Sequence, residues 1–278
     1  MAGRLEGKVA AITGGASGFG AGAARRFVAE GAKVVIGDIQ DEAGQAVADE
    51  LGDACEFVHC NVRIEDDVAK LVDTAVEKFG QLDIMYNNAG VVGAVGPIAT
   101  TPADEWHKTI DIHLSGCFYG CKHAARVMIP RGTGSIVSMS STAGIMGGLG
   151  PHAYTAAKHA IIGLTKGVAA ELGQYGIRAN CISPAGMATP MVAALSGDPN
   201  DIEGTEKNLA MTSPLKGRPG RAEDVVNACL WLASDESGYT SGLTLTTDAG
   251  LTIGAGGELP FGEYEPFIAE AGKRGMDD

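Results

Sequence analysis

A doubly wound, parallel α/β sheet with helices on both faces is the fold class this sequence predicts, and three observations predict it. Short, continuously apolar runs recur along the 278 residues, as in strands covered on both sides. Between them lie segments whose apolar residues recur every three or four positions, the spacing of helices. The distinctive residues, from a glycine cluster after the first run to Asp38, Asn88, Ser141 and Pro184, stand where such runs end. In open α/β sheets that edge binds ligands. One domain over 1–253, with an extension at 254–278, accounts for the alternation, which contains no internal linker and no short repeat.

Taken in order, Val9-Ala10-Ala11-Ile12 is the first strand, followed by Thr13-Gly14-Gly15-Ala16-Ser17-Gly18-Phe19-Gly20. Glycines let the backbone turn sharply and approach a ligand. Ala23, Ala24, Phe27 and Val28 then keep helical spacing up to Gly31. Strand, glycine turn, helix is an arrangement that offers free N–H groups and a positive dipole end to a phosphate. A second strand, Lys33 to Gly37, ends at Asp38, close to the ~20 residues past the loop where an acid meets an adenosine ribose. Its carboxylate would accept both ribose hydroxyls and repel a 2′-phosphate, and no Arg or Lys stands at Ser17 or Ile39 to attract one. The cofactor expected is NAD rather than NADP. The alternative is that Asp38 caps a helix beginning near Asp41.

Phe57-Val58 forms a third strand leading into Cys60-Asn61-Val62. Val68, Leu71, Val72, Ala75, Val76 and Phe79 mark one face of an amphipathic helix. A fourth strand, Asp83 to Tyr86, ends in Asn87-Asn88-Ala89-Gly90, and a long helical stretch follows from about Ala103 to Ile129. The fifth strand, Ile136 to Met139, leads to Ser141, and a helix from about Ala153 carries Tyr154 and Lys158. A sixth strand, Ala179 to Ile182, runs into Ser183-Pro184-Ala185-Gly186. A mobile-looking polar segment, a helix from about Ala222 to Ala233 and a last strand, Leu243 to Thr246, complete the order.

Four residues is one helical turn, so Tyr154 and Lys158 point the same way. Tyrosine ionises near ~10 and lysine near ~10.4 in isolation. A close ammonium favours the phenolate, which brings the tyrosine towards neutrality as a base. A hydroxyl at Ser141 would hold a carbonyl or alcohol oxygen meanwhile. Alone, the pair is equally an ordinary surface pair; its company along the chain decides for chemistry.

The net charge of −13 opposes a nucleic-acid partner, whose phosphates need a basic surface. No charged-then-apolar leader precedes the first strand, and no long apolar segment lacks Gly, Ser or charge, so neither secretion nor a membrane span is expected. The six cysteines (Cys55, Cys60, Cys117, Cys121, Cys181, Cys229) form no Cys-x-x-Cys pair and read as buried free thiols, with no metal site expected. Together these features suggest a cytoplasmic protein.

With these motifs in hand, the sequence resembles the short-chain dehydrogenase/reductase family from Lys8 to about Thr252. The likeness rests on Thr13-Gly14-x-x-x-Gly18-x-Gly20, Asn87-Asn88-Ala89-Gly90, Ser141, Tyr154-x-x-x-Lys158, and Pro184 leading to Thr189, in the family's order. It implies a Rossmann fold. More narrowly, Lys122-His123-Ala124-Ala125-Arg126-Val127-Met128 and Gly186 to Met191 are similar to NAD-dependent secondary-alcohol dehydrogenases acting on terpenoids, lignan-type lactols and steroids. The resemblance implies Tyr154 as general base in oxidation and acid in reduction. Lys158 would tune it and hold the nicotinamide ribose, and Ser141 would orient the substrate oxygen. Gly14, Ser17, Gly18, Phe19 and Gly20 would shape the pyrophosphate site, and Asp38 and Ile39 the adenosine ribose site. Asn61 and Val62 would flank the adenine. Asn88, Ala89 and Gly90 would line the cofactor, and Pro184, Met187 and Thr189 would hold the nicotinamide carboxamide.

Three residues depart from the family. His113 stands where asparagine is usual in a water and proton chain to the lysine. It either preserves that relay, largely a main-chain matter, or adds a titratable group to it. The alternative is a packed histidine with satisfied nitrogens. Asn61 replaces a common aspartate, and Ala185 a usual glycine; both are expected to be mild.

Ala143, Met146 and Leu149, with Met187, Met191 and Leu195, would form a small or apolar substrate wall, and no Arg or Lys lies between Gly132 and Ala157 to bind an anion. The partner expected is an uncharged hydrophobic alcohol or ketone. The stretch from about 190 to 216 reads as a flexible lid or a surface loop. The tail after Gly254 carries Phe261, Tyr264 and Phe267 and either crosses a neighbouring subunit's pocket or is disordered. The family is usually tetrameric. Rival readings are a 3-oxoacyl-thioester reductase, or a non-redox isomerase, cyclase or NAD-sensing protein on the same fold.

Overall fold

Residues 3–254 are described by a computed structural model; the aromatic residues of the tail lie outside that range. Seven strands form one all-parallel sheet in the order β3-β2-β1-β4-β5-β6-β7. They are β1 (Val9–Thr13), β2 (Lys33–Asp38), β3 (Cys55–His59), β4 (Ile84–Asn87), β5 (Gly134–Met139), β6 (Ile177–Pro184) and β7 (Thr244–Thr247). The order reverses between β1 and β4, the switch point at which this architecture opens a crevice.

Two apolar layers flank the sheet because its strands are apolar at successive positions. On one face, Phe27 of α1 (Gly18–Ala29) and Val47 of α2 (Asp41–Leu51) pack with Leu230 of α9 (Ala222–Ala233). On the other, Leu71 of α3 (Glu65–Phe79) packs with Met128 of α5 (Gly116–Met128) and Ile161 of α6 (His152–Leu172). All six cysteines are buried and free. Burial pushes the Cys55 and Cys60 thiols up to about 12, so neither is a thiolate at neutral pH. No helix among the described residues is long and apolar enough to cross a membrane.

Two segments differ from expectation. The helical stretch after β4 is not uniform: α4 (Ala103–Ile110) passes through a π-helical turn, Asp111–Ser115, into α5. Such turns are rare and gather at functional sites; His113 sits in this one. The lid segment is not a structureless loop either. It contains α7 (Pro190–Ala194) and α8 (Ile202–Thr212). Thr189 caps α7 by accepting from Val192 N–H, with Pro190 in the first turn, and Asp201 caps α8 by accepting from Gly204 N–H. A bidentate pair, Arg221 to Glu206 at 3.0 Å, joins α8 to the start of α9.

After β7, Ala249 holds φ +57, a region that costs a residue with a Cβ about 1–2 kcal/mol. Glycine relieves that strain but returns about 0.4–1 kcal/mol of unfolded-chain entropy. Ala249→Gly is therefore expected to raise Tm by roughly 1–3 °C in thermal unfolding. A lower Tm would show that the methyl group packs usefully there.

Candidate active site

Ser17 is the N-cap of α1, yet no side chain caps that helix, so its first N–H groups stay open. A Cβ at Gly20 would overlap the carbonyl oxygen of Gly14, so the close approach of helix and loop requires glycine there. Asn88 ties the turn to β4: its Nδ2 donates to the carbonyls of Thr13 and Gly14, both at 3.0 Å. Thr13 Oγ1 in return accepts from Asn88 and Ala89 N–H groups.

A cleft of about 340 Å³ runs along this edge. Gly14, Ser17, Gly18 and Phe19 form its floor. Asp38 and Ile39 follow on one side, then Asn61 and Val62, while Asn88, Ala89 and Gly90 close the other. Asp38 is 7 % exposed. One of its oxygens accepts from Ala16 N–H at 3.0 Å and the other from Gln40 N–H at 3.1 Å. The carboxylate thus pins the glycine turn while keeping lone pairs for a ligand; it does not cap α2, whose N-cap is Gln40. Asn61 Oδ1 accepts from Arg63 N–H at 3.1 Å. Open helix N-terminus, glycine cradle and buried acid fit a dinucleotide in residue type and order.

At the ends of β5 and β6 a second group converges. Ser141 Oγ accepts from Ala143 N–H at 3.1 Å and faces the carbonyl of Pro184 at 3.5 Å. Lys158, 4 % exposed, donates from Nζ to the carbonyl of Met139 at 2.8 Å and lies 5.3 Å from the centre of the Tyr154 ring. Burial lowers its pKa to about 8. Tyr154 departs from expectation: burial raises its pKa, and a hydrogen bond with Ser141 only partly opposes this. Burial of the phenol outweighs the support that a neighbouring ammonium gives a phenolate.

His113 lies against the tyrosine, with ring centres 5.2 Å apart and planes at 87°. Its Nε2–H donates to the Val91 carbonyl at 2.8 Å, which leaves Nδ1 bare, buried and unpartnered. Burial and Lys158 push its pKa down to about 3. It adds no titratable group near neutrality, contrary to one expectation, and only one of its nitrogens is satisfied, contrary to the other.

The expected substrate wall divides. Met146, Leu149 and Leu195 are exposed apolar residues, and Ala143 is fully buried against the position of Gly150. Met187 packs into the core with its sulfur under Gly220 and at the same time lines a second cleft, of about 610 Å³, with Leu209, Thr212 and Leu251. Met191 and Thr189 line the dinucleotide cleft. Sequence reasoning missed Gly150, where a Cβ would stand 2.9 Å from Tyr154 Cδ1; nothing separates it from neighbouring glycines in the sequence.

A family model described as enoyl-(acyl carrier protein) reductase matches residues 14–252. Over 258 residues the chain is 50% identical to short chain aldehyde dehydrogenase 1 of Euphorbia lathyris, covering 90% of each. It is 49% identical over 256 residues to (+)-borneol dehydrogenase 2 of Salvia officinalis, again covering 90% of each. The crystal structure of levodione reductase superposes with a TM-score of 0.82 at 32% identity, over 90% of this chain and 99% of that one. With the sheet order, the glycine cradle and the Ser141–Tyr154–Lys158 cluster, these likenesses agree on one conclusion: the chain belongs to the short-chain dehydrogenase/reductase family of oxidoreductases, which bind a nicotinamide cofactor.

Proposed function

We propose that this protein interconverts an uncharged, hydrophobic secondary alcohol and its ketone with NAD. The observation that carries this reading is the convergence of Ser141, Tyr154 and Lys158 beside a cleft that holds a buried carboxylate, Asp38. Bound NAD supplies hydride acceptance and donation. The chain supplies position and a proton route. Ser141 Oγ holds the substrate oxygen, and Tyr154 Oη takes its proton in oxidation or returns it in reduction. Lys158 shares the pair's proton with Tyr154. Exposed Met146, Leu149 and Leu195 supply an apolar approach without a cation. We propose further that it works as a homotetramer in the cytoplasm with no nucleic-acid or membrane partner; the acidic charge supports only the exclusion of nucleic acid.

Oxidation requires the buried Tyr154–Lys158 pair to be one proton short, and reduction requires both protons. Lys158 is the group that releases first, near 8, so in oxidation Tyr154 would pass its own proton towards the neutral Lys158 amine as it takes the substrate's, and the apparent value belongs to the pair. Oxidation should rise with pH to a plateau above about 8, and reduction should fall over the same range. His113 should contribute no inflection near neutrality, since it is neutral down to about 3. An oxidation rate that falls as pH rises would contradict the assignment.

The function is tested by following NADH absorbance with NAD against cyclic terpenoid alcohols, hydroxysteroids and simple secondary alcohols. Turnover with formation of the matching ketone is expected. NAD binding without NADH formation across the panel would favour a non-redox role on the same fold.

A further inference from the structure

We propose that His113 and Gly150 are positioning residues which fix the Tyr154 ring in a four-layer stack, Gly90–His113–Tyr154–Gly150. The inference rests on reading Tyr154 as the proton carrier. Each interface of the stack is closed. A Cβ at Gly90 would stand 2.8 Å from His113 Cε1, and one at Gly150 would stand 2.9 Å from Tyr154 Cδ1 and 3.2 Å from Ala143 Cβ. Between them the two rings meet edge to face, with centres 5.2 Å apart and planes at 87°, a favoured aromatic geometry. The histidine ring is itself anchored by Nε2–H donating to Val91 at 2.8 Å. Glycine backbone thus lies against the outer side of each ring.

The consequence concerns which property of His113 matters. Its proton chemistry is silent, and its bare Nδ1 faces Gly90 rather than a donor. What reaches Tyr154 is the ring. Gly90 and Val91 also line the dinucleotide cleft, so the stack sets the distance between the cofactor wall and the phenol. Misplacement by about 1 Å costs on the order of 10²-fold in rate when a reaction depends on alignment.

His113→Asn tests this directly. It keeps a side chain that can donate to Val91 but removes the ring. The expected result is a kcat lower by ~10-fold or more in a variant that still folds, with an NAD Kd within about twofold by fluorescence titration. Gly150→Ala pushes the ring from the opposite side and should give the same split. The double variant should lose less than the product of the two, because both act through one ring. Normal kcat in His113→Asn, or a loss matched by equally weaker NAD binding, would overturn the proposal. Should His113→Asn fail to fold, normal turnover in Gly150→Ala overturns it alone. An active Tyr154→Phe variant would sink the functional reading itself. A silent Tyr154→Phe beside a normal His113→Asn would sink only the stack.

Discussion

Replacing Tyr154 by phenylalanine is expected to lower kcat by about 10²–10⁴-fold and to leave NAD binding intact. The substitution removes one oxygen and keeps the ring, so the contacts with His113 and Gly150 survive. Lys158 keeps its hydrogen bond to Met139, and the dinucleotide cleft does not include Tyr154 in its lining. The missing group is the one beside Ser141 that receives the substrate proton in the proposed reaction. Steady-state kinetics with an NAD titration by fluorescence checks both halves. Retention of more than about a tenth of wild-type turnover would mean that another group carries the proton, since general-base catalysis is worth far more than that factor.

Asp38 governs the second large effect. Its carboxylate is buried at the end of β2, where this architecture would seat an adenosine ribose. A 2′-phosphate there would meet a like charge with no nearby cation at Ser17 or Ile39, and like-charge contacts of this kind cost several kcal/mol. The wild-type protein should therefore favour NAD over NADP by ~10²-fold or more in kcat/KM. Asp38→Asn should shrink that preference by at least ~10-fold, mainly by impairing NAD. The loss with NAD follows because an amide cannot accept from both Ala16 and Gln40 N–H groups. Wild-type preference for NADP would refute this view of Asp38, whatever the variant does.

Much of the fold was legible because the strands of a covered parallel sheet must be apolar at every position. Val9 to Ile12, Val34 to Ile36 and Ile136 to Val137 announce themselves, and the structure buries them all. Asp38, Ser141 and Pro184 were legible for a related reason, since they are polar or rigid residues at the ends of such runs. The π-helical turn at Asp111–Ser115 was not legible, because one extra residue in a turn barely changes helical spacing. Helix α8 was hidden by its polar composition and α7 by its length of only 5 residues, although Thr189-Pro190 and Asp201 are start signals. Met187 serves core and cleft at once, which hydrophobicity alone does not tell apart. The direction of the Tyr154 pKa depends on how deeply the pair is buried, a quantity set by the tertiary fold rather than by four-residue spacing.

The central claim is that hydride leaves a secondary carbinol carbon for NAD while Tyr154 takes the hydroxyl proton. The most direct test uses the best alcohol of the panel, labelled with deuterium at that carbon, in ordinary water with unlabelled NAD. The reduced cofactor should carry the deuterium by mass spectrometry, the ketone should carry none, and the Tyr154→Phe variant should form neither. Label released to water, or retained in a product formed while NAD stays oxidised, would contradict the account and assign the site to a different chemistry.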